Sequence, residues 1–118
     1  MRDVNKWLEE ALRELGLPCS EEPMRESSCP EGYVTWKMVR DARSYASGKP
    51  WLRKVTADVS LWLPGNADWQ DVCGKAQWLL MLAGAWSEVF QGSEWLTEVA
   101  LRRVTLRVKL PREELSCE

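Results

Sequence analysis

The 118-residue chain has no histidine, one phenylalanine and two tyrosines. Without an imidazole, Ser-His-Asp and Cys-His catalysis are both excluded within a single chain. The phosphate-cradling GxxxxGK[ST] pattern and the dinucleotide-binding GxGxxG pattern are also missing. No two of the four cysteines, at positions 19, 29, 73 and 117, have CxxC spacing. A zinc site would have to gather scattered thiolates, so free thiols fit better, although Cys19 and Cys29 could close a loop. The longest apolar run, Trp78 to Ala83, is far short of the roughly 18 residues that span a bilayer. The N-terminus leads into an amphipathic pattern, with no apolar signal region, which makes cytoplasmic synthesis the expectation. Adjacent carboxylates, Glu9/Glu10 and Glu113/Glu114, fall on segments expected to be exposed and give no pocket for acid–base chemistry. The expectation is a non-enzymatic chain without cofactor or metal and without a membrane partner.

What is present is ordinary for a folded domain: 45% hydrophobic and 29% charged residues, enough for one core and too few for two. The net charge of −2 opposes general attraction to nucleic acid, and no specific nucleic-acid partner is expected. The charge is unevenly placed. Glu9, Glu10, Glu14, Glu21, Glu22, Glu26 and Glu31 make the first third acidic. Lys37, Arg40, Arg43, Lys49, Arg53 and Lys54 make the next stretch basic, and Arg102, Arg103, Arg107 and Lys109 form a second basic cluster. Such blocks are either solvated faces or opposite-sign patches that orient neighbouring subunits.

Val4, Trp7, Leu8, Ala11, Leu12 and Leu15 form one helical stripe, with Asp3 as N-cap and Gly16 and Pro18 as stop signals. Residues 18–32 read as a long loop, mobile in its middle. Tyr33 to Val39 alternates as a strand, and 40–50 reads as the polar tip of a long hairpin. Trp51 to Leu63 is the clearest strand: Val55, Ala57, Val59, Leu61 and Leu63 face one way, and Lys54, Thr56, Asp58, Ser60 and Trp62 the other. Asp68 caps a second helix running to about Ala83, with Gly84 beyond it. Trp86 to Phe90 and a segment ending at Leu110 read as two further strands, with the turn at Gln91-Gly92-Ser93, and 111–118 reads as a polar tail. The predicted fold is α+β, in the order α-β-β-α-β-β. One domain, 1–110, holds a four-stranded, mainly antiparallel sheet with two helices packed on one face.

Eight tryptophans are many for this length: either most are core or half-buried, or a subset forms inter-subunit contacts, where aromatic residues and arginine are enriched. The candidate subunit or partner contacts are Arg40, Arg43, Tyr45, Lys49, Trp51, Arg53 and Trp62. Trp62 stands among polar outward neighbours, and the basic residues would meet an acidic surface. Charge reversal at Arg43, Lys49 and Arg53 is expected to weaken assembly and leave the monomer folded.

Several segments in this order resemble the siphophage tail-terminator and minor tail protein family. They are a helix ending in Leu15-Gly16-Leu17-Pro18 and the strand Tyr33-Val34-Thr35-Trp36. The loop Tyr45-Ala46-Ser47-Gly48-Lys49-Pro50 and the strand Val55 to Trp62 follow, then a helix and a strand pair. The resemblance spans nearly the whole domain but lies in arrangement and local flavour, with no residue roles to transfer. The cysteine-containing loop 18–32 and the tryptophan content depart from it. It implies a structural subunit that forms a ring, commonly a hexamer, on the tail-tube protein and helps join tail to head. The chain would be assembled in the host bacterial cytoplasm and end in the virion tail. Its partners would be itself, the tube and a head-completion or neck protein. A neck protein, or a cytosolic α+β domain binding a small molecule or nucleic acid, fits the same pattern of elements.

Overall fold

A computed structural model describes residues 2–22, 31–46 and 48–115. Helix α1 spans Val4–Ala11, and its Asp3 side chain accepts the Lys6 N–H at 3.2 Å. The α-helix is shorter than the stripe predicts: its continuation, Arg13–Leu15, tightens to a 3-10 turn that ends on Gly16 at φ 73°, a left-handed conformation suited to glycine. The strands are β1 (Cys19–Glu21), β2 (Tyr33–Ala46) and β3 (Lys49–Pro64), then β4 (Ser87–Leu96), β5 (Leu101–Lys109) and β6 (Glu113–Glu114). Helix α2 (Trp69–Leu82) lies between β3 and β4, and the Asp68 carboxylate accepts the Asp71 N–H.

The six strands form one mixed sheet, ordered β1-β2-β3-β5-β4, with β6 also pairing to β3. The chain is therefore α+β with two helices, but the sheet is larger than the four antiparallel strands expected. Two additions were hidden by their composition. Strand β1 lies in the Pro- and Ser-rich segment read as loop and pairs in parallel with Val34–Trp36. Strand β6 follows Pro111 in the presumed tail and pairs with Leu52 and Arg53. In neither case does a three- or two-residue strand leave a periodic signal.

Strand boundaries shift for a related reason. The 40–50 segment is not a loose tip, because β2 and β3 stay paired as far as Ala46 and Lys49. Backbone hydrogen bonding holds these polar residues extended although little core lies beneath them. The Gln91-Gly92-Ser93 turn is an irregularity inside β4, between Phe90 and Gly92, and the reversal comes at 97–100, where Ala100 takes φ 53°.

The core lies between one sheet face and the helices. Val55, Ala57, Val59, Leu61 and Leu63 of β3 are buried with Val34 and Trp36 of β2 and Val104, Leu106 and Val108 of β5. Val4, Leu8 and Leu12, with Cys73, Ala76 and Leu80 of α2, close this face. Each such aliphatic side chain contributes about 1.5–3 kcal/mol by leaving water. Gly32 sits at the foot of β2 with φ 111°, where an added Cβ would run into the Trp62 carbonyl oxygen, so the chain enters this strand only through glycine.

Candidate functional site

The extra residue Val39, between Met38 and Arg40, changes which side chains of β2 face the helices. Below it Val34, Trp36 and Met38 point inward; above it Asp41 and Arg43 do, opposite Val55 and Arg53. This parity switch explains the fate of Arg53. Predicted as a surface contact, it is only 6% exposed. Its guanidinium donates to both Asp41 carboxylate oxygens, at 2.9 and 2.8 Å, to Glu113 at 3.3 Å and to the Arg2 carbonyl at 2.9 Å. Arg53 thus ties the hairpin, β6 and the start of the chain together, and reversing its charge would attack the fold itself. The expectation that Arg53 lies on the surface is corrected on that ground.

Both carboxylates respond to the clamp. The Arg53 hydrogen bonds hold Asp41 below the usual carboxylate range, against partial desolvation. Desolvation pushes Glu113 up, but the Arg2 N–H and the Arg53 guanidinium outweigh it and leave Glu113 lowered.

Trp62 is also engaged within the chain. It stacks on Tyr33 at 5.7 Å, lies under the Arg103 guanidinium at 4.9 Å and donates its indole N–H to Thr35 Oγ1 at 2.9 Å. It is half-buried, less available than its outward position predicts. Tyr45 and Trp51, by contrast, are exposed near the hairpin end, and Lys49 is exposed at the turn. Arg40 and Arg43 are exposed along β2 and line a groove of about 530 Å³. Lys54, Lys109, Arg112 and Trp86 line it too, with the Arg112 guanidinium 4.3 Å above the Trp86 ring. The structure therefore merges the two basic clusters, distant in sequence, on neighbouring strands.

A second surface went unnoticed in the sequence. Trp78, Met81 and Leu82 lie at i, i+3 and i+4 on the outer side of α2 and are 57%, 44% and 63% exposed. Apart from them, β4 is an edge strand among the described residues, ten residues long, with Val89 exposed on the helix-free face and Phe90 and Trp95 exposed toward the start of α2. The signal was there, in the continuous run Trp78 to Ala83, but one helix stripe already accounted for a core. At the other side of the sheet, β1 covers only Val34–Trp36, and among the described residues β2 has no outer neighbour from Met38 to Ala46.

No protein-family model and no curated protein matches this chain. Among the solved structures that resemble this chain in fold, one has a TM-score of 0.63 at 11% identity over 98% of this chain and 89% of that one. The likeness shows the fold alone.

No group of three or more ligating side chains gathers to hold a metal among the described residues. The Cys19 thiol is pushed up to about 11 by burial and by the nearby Glu9, and burial raises Cys73 as well, so both stay protonated and weakly nucleophilic at neutral pH. Cys29, the suggested partner of Cys19, lies outside the described residues.

Proposed function

We propose that this chain is a structural subunit of a phage tail, of the tail-terminator type, that closes on copies of itself as a ring over the tail-tube protein. One observation carries the reading: among the described residues the sheet has two long edges without a pairing strand, β4 and the upper part of β2, which differ in character and lie at opposite sides of one layer. Exposed edges are templates for pairing, and isolated monomers blunt them. Two different patches on one subunit suit a heterologous contact, which closes into a ring when the rotation allows. Exposed apolar side chains on α2 and on β4 supply area for such contacts to bury, and the exposed Tyr45, Lys49 and Trp51 at the hairpin end offer a further contact for a neighbour or the tube. The same order of elements carries the family resemblance. A neck or head-completion protein would use similar edges at a different level of the virion.

The test is negative-stain microscopy and light scattering of the purified chain, alone and with tail-tube protein. Wild type is expected to form a discrete ring, free or on tube ends. Trp78→Lys combined with Val89→Lys is expected to melt as wild type does and to form none. A wild-type chain that stays monomeric at high concentration and leaves tube ends uncapped defeats the proposal.

A further inference from the structure

We propose that the helix-free face of the sheet, centred on the Arg40–Lys109 groove, binds the backbone of single-stranded nucleic acid without sequence preference. The inference does not depend on ring formation.

Registration across three strands places Arg40, Thr56 and Lys109 in one row and Lys37, Asp58 and Arg107 in the next. Neighbouring strands are about 4.8 Å apart and successive residues on one face about 6.8 Å apart, so the cations stand roughly 7–10 Å from one another. Asp58 carries a carboxylate on this face, and Arg107 neutralises it through two hydrogen bonds of 2.9 and 3.1 Å. In the groove, Arg40, Lys54, Lys109 and Arg112 converge, and no carboxylate lines it among the described residues. Such a concentration of like charge is self-repelling and is relieved by an anion, although the whole chain is net −2.

Two features favour nucleic acid over an acidic protein segment. First, the groove floor is β3, whose backbone is already paired there: Thr56 is paired with both Arg40 and Lys109, and the Val55 carbonyl accepts the Leu110 N–H at 3.0 Å. A peptide could not add a strand at that place and would have to rely on side chains alone. Second, an exposed aromatic ring accompanies the cations. Trp86 is 62% exposed at the groove. Cations that track a phosphate chain beside rings on which bases stack form a sequence-tolerant single-strand surface.

The probe is a short fluorescein-labelled oligothymidylate, followed by anisotropy. Wild type is expected to bind at about 50 mM salt and to weaken roughly 50-fold by about 200 mM, as about four phosphate contacts require. Lys54→Glu with Lys109→Glu and Arg112→Glu should lower low-salt affinity at least about tenfold with unchanged circular dichroism, and Trp86→Ala should lower it roughly tenfold by loss of stacking. If the triple reversal misfolds, Lys54→Gln with Lys109→Gln provides the same comparison, with a smaller loss expected. Absence of saturable binding at low salt overturns the proposal, as does equal binding by the folded charge variant. Tighter binding of duplex of the same length overturns the single-strand assignment. Displacement by polyglutamate as efficient as by unlabelled oligothymidylate reassigns the groove to an acidic protein.

Discussion

The two ends of the long β2–β3 hairpin are held by different forces. At the base, β3 lies under two helices, and Ala57, Val59 and Leu61 are fully buried. Beyond Val55 the helices no longer cover it, and a buried guanidinium takes over, joining Asp41, Glu113 and the Arg2 carbonyl. Apolar burial tolerates imperfect shape and resists acid. A polar clamp depends on every partner keeping its charge, since a lone buried ion is costly. The base therefore sets global stability, while the clamp sets whether the outer hairpin and β6 stay in register.

The sharpest way to break this contrast is at the base. Trp36→Ala removes the largest fully buried side chain and also the indole N–H donated to Asn5 Oδ1 at 2.8 Å. It is expected to cost about 4 kcal/mol in urea unfolding. Arg53→Met is expected to cost less, about 2 kcal/mol, because Asp41 is a third exposed and can regain water. Hydrogen exchange should show the difference in place, with Arg53→Met losing protection in β6 and the outer hairpin first; uniform loss across the sheet would deny the clamp its local role.

Acid provides a check of the same clamp. Asp41 and Glu113 titrate below their ordinary values in the folded chain, so their stabilising contribution is complete above the ordinary carboxylate range. It is lost as pH falls below about 4, through the folded values. Wild type should lose stability over that window more steeply than Arg53→Met; parallel acid profiles would contradict the assignment. A smaller effect, about 1 kcal/mol, is expected for Asp68→Ala, which removes the cap of α2. At the exposed turn, Lys49→Glu should change stability by no more than about 0.5 kcal/mol in the same unfolding assay, the smallest effect of the set.

Legibility in the sequence followed the strength of each element's pattern. The alternation from Val55 to Leu63 and the stripe Val4-Leu8-Leu12 announced the core because burial on one face repeats at the period of the backbone. Asp3 and Asp68 were readable as caps because a short carboxylate before a helix has a local partner. Residues 40–46 were not readable as strand, since their extended state comes from pairing with β3 and their side chains carry no alternation in polarity. Of the candidate contacts, Tyr45, Lys49, Trp51 and Arg40 are exposed as an outward reading expects, Arg43 is exposed but turned to the helix side of β2, Arg53 is buried, and Trp62 is spent on Tyr33, Arg103 and Thr35.

By itself, then, the sequence determined the apolar core of α1, β3, α2 and β5 and the caps of both helices, because hydrophobic period and capping are local properties. The missing histidine likewise removed imidazole chemistry at the level of composition. Tertiary structure alone decided that one extra residue at Val39 turns Asp41 toward Arg53, that the basic segments around Lys54 and Lys109 share one face, and that β4 ends the sheet with apolar side chains uncovered. Each of these depends on strand register and order, which are fixed by pairing between residues far apart in the chain.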